Sequence, residues 1–279
     1  MRKIRLSGVV GVVDAVGVST LARKQRLIHS LQMVGAIMET SALPLAQSVS
    51  NRYPRAAAPI HTIFVLAVLG GWTFYRAILA GHMSAAANPD RVRLYVMTLL
   101  FEWLLFFLVL AGVRHSGASI LIVLGDRWRS VRQVLRDIGI AGAFWIASVG
   151  ILSVLGSLLR IAAQSSKNDF ITLPRGAVEI TLWVSLSVSA GICEEAIFRG
   201  YLQRQFIALT RNVPAGILLS GAVFGAAHAY QGFRKVVLIG LFGAMFGALA
   251  HWRGTVRPGM IAHAWQDSLN GVLFGITRH

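Results

Sequence analysis

Beyond residue 58 the chain is a succession of apolar runs separated by short polar and basic stretches. Seven such runs stand near 59–81, 94–113, 138–159, 174–198, 214–230, 235–252 and 255–276. About 20 helical residues cover the hydrocarbon core of a bilayer, so the first four runs are comfortable crossings and the fifth and sixth are short. Pro54, Pro59, Pro174, Pro214 and Pro258 lie before or near the starts of runs, where a missing N–H does least harm to a helix. The pattern predicts an all-α fold, a polytopic membrane helix bundle of about seven transmembrane helices. Between the second and third runs, Gly125 to Asp137 has apolar and basic residues at helical spacing. That spacing predicts an interfacial elbow lying on the membrane. Three parts follow: an N-terminal cytosolic or interfacial segment at 1–58, transmembrane helices with the elbow at 59–173, and a transmembrane core at 174–276.

Composition sharpens this. Hydrophobic residues make up 55% of the 279 and charged residues only 14%, with a mean hydropathy of +0.64. A soluble domain carries about a quarter charged residues, so lipid is the natural solvent here. The net charge of +16 does not point to nucleic acid, because the basic residues cluster at the ends of apolar runs and no nucleic-acid-binding motif accompanies them. With the N-terminus inside, the inner segments hold 18 Lys and Arg and the outer ones 8. The positive-inside rule therefore favours N-in, C-out, in a membrane expected to be the bacterial cytoplasmic membrane. The basic start Arg2-Lys3-Ile4-Arg5 resembles a signal peptide, but Asp14 interrupts the apolar stretch and Arg23, Lys24 and Arg26 follow. It reads as retained. The single cysteine, Cys193, excludes an intrachain disulfide and reads as a packing residue.

Ionisable side chains inside a bilayer are expensive and mark functional sites by default. Three groups fall in the last third. Glu194-Glu195-Ala196-Ile197-Phe198-Arg199 closes the fourth run. Glu195 and Arg199, four apart, can pair, while Glu194, about 100° round the helix, faces another neighbour. One carboxylate is thus neutralised and the other left for proton transfer. Phe224-Gly225-Ala226-Ala227-His228 places a histidine among small residues that allow close helix approach. His263-Ala264-Trp265-Gln266-Asp267 puts His and Asp on one face, either as joint metal ligands or as a pair in which Asp fixes the imidazole. Each group alone also fits a local salt bridge or hydrogen bond. Three runs that each bury such groups in lipid must bring them together to satisfy them.

The pattern Glu-Glu-x-x-x-Arg, Phe-x-x-x-His and His-x-x-x-Asp/Asn resembles the CPBP family, which includes CAAX prenyl endopeptidases and bacterial bacteriocin-processing or self-immunity proteins. The resemblance covers about residues 174–276. It implies that Glu194 activates water with His228 beside it, that His263 and Asp267 stabilise the oxyanion or hold a metal, and that Glu195 and Arg199 brace the first helix. If a metal is present, its ligands would come from His228, His263, Asp267 and Glu194, and the ion expected is Zn2+. A metal-free glutamate mechanism also fits, with the metal-dependent one slightly favoured. Some members carry Asn where this chain has Asp267.

The expected function is therefore that of an intramembrane endopeptidase acting on a membrane-associated protein or peptide, with the lipid bilayer as its setting and no nucleic-acid partner. A non-enzymatic scaffold or bacteriocin self-immunity protein is the rival, followed by a proton-coupled transporter, for which no inverted repeat is visible. Neither oligomeric state nor substrate identity is written in the pattern. Arg76, His61 and Glu102, in the first two runs, either seal or gate the site or, the favoured reading, are interhelical or snorkelling groups. His251 reads as an interfacial anchor, and Gly216, Gly221, Gly225, Gly240, Gly243 and Gly247 as helix-contact positions.

Overall fold

A backbone removed from water must satisfy its own N–H and C=O groups, and within one segment only a helix does so. The computed structural model describes residues 24, 26–33, 53–85, 90–158 and 173–276, and these contain helices and turns with no strand. Residues 26–33 form an exposed helix in a unit of their own. The basic start at residues 2–5, Asp14 and Arg23, together with Arg160 and Lys167 of the orientation count, lies outside the described residues.

From Tyr53 onward the elements are α1 (Pro59–Ala85), α2 (Arg91–His115), the short α3 (Leu121–Leu124), α4 (Val131–Leu158), α5 (Ala177–Glu194), a π-helix (Glu195–Leu202), α6 (Gln203–Thr210), α7 (Val213–Ala227), a 3-10 turn (Ala229–Gln231), α8 (Phe233–Arg253) and α9 (Arg257–Ile276). A helix stands at each of the seven apolar runs. Five are long and apolar enough to cross a membrane: Pro59–Met83, Arg91–His115, Val131–Leu158, Ala177–Thr210 and Phe233–Arg253. The other two differ for physical reasons. Helix α7, with 15 residues, reaches only about 22 Å at 1.5 Å per residue. Helix α9 is diluted by Arg257, His263, Gln266, Asp267 and Asn270, the cost of carrying chemistry.

The elbow is not a separate helix. Gly125–Arg129 is non-helical, and Val131 to Asp137 forms the first two turns of α4. The amphipathic spacing there has another cause. Asp137 is fully buried and accepts from Trp128 Nε1 at 2.9 Å, with Arg257 Nε at 3.2 Å and Arg253 Nη2 at 3.5 Å. The stretch therefore turns inward to close an ion cluster between α4, α8 and α9.

Apolar and polar groups are distributed as lipid demands. Phe74, Leu100, Leu104 and Ile146 are more than half exposed, whereas Glu195, Arg199, Gln203 and Gln205 are buried. Small residues set the closest helix contacts. A Cβ at Gly221 would sit 2.7 Å from the carbonyl oxygen of Gly240, and one at Gly225 would sit 2.4 Å from that of Val236, so α7 and α8 meet backbone to backbone. Gly191 does the same for α5 and α9, where a Cβ would lie 2.6 Å from the Met260 carbonyl oxygen. These contacts bring the last four long elements into register around the charged residues.

Candidate active site

The helix beginning at Ala177 changes pitch at the motif. From Glu195 to Leu202 the backbone is a π-helix, and the N–H of Gln203 bonds to the carbonyl of Phe198, five residues back. Such turns are rare and concentrate at functional sites. Neighbouring groups accommodate it. Ser220 Oγ donates to the Phe198 carbonyl at 2.8 Å, and Gly200 lies so close to α3 that a Cβ would stand 2.1 Å from the Val123 oxygen. Gln203 Nε2 donates to Gly247 O at 3.0 Å, one turn along α8 from where Arg199 Nη2 donates to Gly243 O at 3.1 Å. The motif is pinned on three sides.

Within it, Arg199 Nη1 donates to Glu195 Oε1 at 2.8 Å, and both side chains are buried. The guanidinium also lies over the ring of Phe224, 4.3 Å from its centroid, and 5.1 Å from that of Phe246. Aromatic faces attract a cation that water cannot reach. The same Glu195 oxygen faces Nδ1 of His263 at 3.0 Å. A carboxylate only accepts, so Nδ1 donates to it. The other nitrogen, Nε2, lies 3.7 Å from Glu194 Oε2 and 3.6 Å from Asp267 Oδ2. Five of the six predicted residues thus form one continuous chain: Arg199, Glu195, His263, then Glu194 and Asp267.

The sixth joins through a cavity. His228 stands just past α7 rather than inside it, as the residue that caps its C-terminus. Its Nδ1 bonds to the Phe224 carbonyl oxygen at 2.9 Å, which makes Nδ1 the donor and leaves Nε2 as a base. His228 and Glu194 both line a cavity of about 60 Å³, room for a few waters. Phe224 therefore has two tasks, carrying Arg199 on its face and holding His228 by its carbonyl, which explains why a phenylalanine stands four residues before the histidine. A larger polar cavity of about 200 Å³ is lined in part by Arg199, Gln203 and Arg204 and by none of Glu194, His228, His263 or Asp267.

Sequence reasoning missed Tyr230 and favoured a non-catalytic reading of Glu102 and Arg76. Glu102 and Arg76 line the cavity with Glu194, and so does Tyr230. Arg76 lies 4.5 Å over the Tyr230 ring and donates to Thr98 at 2.6 Å. The signal was present, since an acid and a base in apolar runs demand partners, but nothing in their own spacing named which. His61 stays structural, bonded to Tyr201 Oη at 2.7 Å. Cys193 is buried in the core, as expected.

The residues proposed for zinc are not placed as a cage. Among the described residues no three His, Cys, Asp or Glu side chains are grouped to hold a metal. His263 has one nitrogen on Glu195 and the other facing two carboxylates, and His228 has one on a carbonyl. The donor set does not fit the ion in this arrangement.

Residues 176–269 match the family model described as type II CAAX prenyl endopeptidase, Rce1-like. The segment is similar to the Rce1-like CAAX endopeptidases, and the match supports membership of the CPBP family. The Rce1-like family is a protease family, which supports a protease at the level of the family. The matched stretch runs from the start of α5 into α9 and contains all six predicted residues. It does not extend to α1, α2 or α4. No curated protein and no solved structure matches the chain.

Proposed function

We propose that this protein is an integral-membrane endopeptidase in which Glu194 activates water to cleave a peptide bond of a membrane-associated substrate, with a prenylated CAAX-type tail as the substrate class. The observation that carries the reading is the asymmetry between adjacent carboxylates. Glu195 Oε1 is met by both Arg199 and His263, and although its Oε2 has no hydrogen-bond partner, Glu195 does not line the cavity. Glu194 Oε2 is buried with no hydrogen-bond partner, and its side chain reaches the water-sized cavity that His228 also lines.

In this reading Glu194 takes a proton from a water in the cavity, which attacks the scissile carbonyl carbon, with His228 beside it in the cavity wall. The oxygen of the former carbonyl becomes negative and is stabilised by a donor from His263, whose ring is fixed by Glu195 on one side and Asp267 on the other. Glu194 then returns its proton to the leaving nitrogen as the C–N bond breaks. No step passes through a metal. Arg199 holds Glu195 in place.

The test is cleavage of a panel of quenched prenylated peptides by the purified protein in detergent. Wild type should cleave, Glu194→Ala should not, and a chelator should leave the rate unchanged. Loss of cleavage in chelator with recovery on adding zinc would establish a metallopeptidase instead. A folded wild type that cleaves nothing would overturn the substrate class and favour a scaffold or immunity role.

A further inference from the structure

We infer that Glu102 of α2 is a further catalytic residue, accepting a hydrogen bond from the attacking water beside Glu194. This rests on the peptidase reading above and deepens it, and it recruits a helix outside the segment that matches the family.

Glu102 is only 6% exposed, and its Oε2 is buried with no hydrogen-bond partner. No Lys or Arg forms an ion pair with it among the described residues. The groups whose charge reaches it are Glu194, His263 and Asp267, with the Ser189 hydroxyl beside it. Two of those are acids. A buried carboxyl without a cation weakens a fold, so Glu102 is not there for stability. Groups retained against stability are characteristic of functional sites.

Its position supplies the role. Glu102 and Glu194 line one cavity of about 60 Å³, so a water inside lies between two carboxyl groups. Water has two O–H donors and carboxylate oxygens accept, so such a water is held by both hydrogens with a lone pair left for the substrate. One hydrogen passes to Glu194 as the water oxygen bonds the carbonyl carbon and the carbonyl π pair moves to its oxygen. The other stays on the attacking oxygen and is held by Glu102. When the C–N bond breaks, the proton on Glu194 goes to nitrogen and the products are an acid and an amine, which balances the hydrolysis. Fixing the water's orientation lowers the entropy cost of attack.

The experiment compares Glu102→Leu and Glu102→Gln with wild type in kcat, KM and Tm, using whichever panel peptide is cleaved. Leu removes the acceptor, and its kcat should fall about tenfold to a hundredfold with KM little changed. Gln keeps an accepting oxygen and should recover part of the rate. Tm should stay level or rise in both, which a merely structural residue would not allow. Wild-type kcat in Glu102→Leu, or a loss that tracks a lowered Tm, would overturn the assignment while leaving the peptidase reading intact. No cleavage by folded wild type would overturn both.

Discussion

Two clusters of buried charge stand in this bundle, and they are built on opposite principles. Around Asp137, one fully buried carboxylate is met by Arg253, Arg257 and the indole N–H of Trp128. Around His263, four carboxylic side chains, Glu102, Glu194, Glu195 and Asp267, share one arginine, Arg199, and one imidazole. The first cluster has more cations than its acid needs and ties α4 to α8 and α9. The second has more acids than its cations can satisfy, and it borders a cavity that water can enter. Saturation marks a structural joint, and deficit marks a place where a proton can move.

Removing Glu194 should sharpen this contrast most. Glu194→Gln should lower cleavage on the order of 10³-fold, as expected for loss of a general base, with Tm little changed because Glu194 Oε2 has no hydrogen bond to lose and its contact with His263 is a long 3.7 Å. Peptide-cleavage kinetics and thermal unfolding in the same detergent check both halves.

Breaking the saturated pairs should act on stability instead. Asp137→Ala leaves two arginines facing each other in a buried site and should cost about 3 to 5 kcal/mol, while the surviving folded fraction keeps its kcat. Denaturant or thermal titration, with activity per folded molecule, is the measurement. Arg199→Leu joins the two behaviours. It abandons Glu195 in the core at a similar cost of about 3 to 5 kcal/mol and also frees His263, so both Tm and kcat should fall.

The smallest effect is expected where the chemistry is already conserved by the exchange. Asp267→Asn keeps an oxygen that can accept from His263 Nε2, and members of the family carry Asn there. Its kcat should stay within about tenfold of wild type, a barrier change of about 1.4 kcal/mol. A loss as large as that of Glu194→Gln would move Asp267 from supporting the imidazole to the proton transfer itself.

The legibility of this molecule in its sequence follows the same division. Apolar periodicity located a helix at each of its seven runs, because lipid leaves the backbone no alternative, although five of them are long and apolar enough to cross and the short α3 and α6 left no such signal. It could not show that α7 is too short to span, or that α9 gives up apolarity for His263 and Asp267. The pair Glu195–Arg199 was readable from spacing, since partners four apart on one helix meet whatever surrounds them. The π-helix starting at Glu195 was not, because it depends on Ser220 and Gly200 meeting neighbouring helices. Glu102 and Arg76 were harder to place for a related reason: Glu194 and Tyr230, which share the cavity with them, lie on distant elements, so no local pattern records the meeting. Trp128 and Asp137 were visible as an amphipathic stretch, but the face that looked suited to an interface in fact buries its acid against arginines from α8 and α9.

The measurement that tests the account most directly is the rate of peptide cleavage per folded molecule for Glu194→Gln beside Asp137→Asn. The account predicts a loss on the order of 10³-fold in the first and a rate near wild type in the second. Cleavage by Glu194→Gln at the wild-type rate would contradict it, because the carboxylate left unpaired in the cavity would then not be the group that activates water.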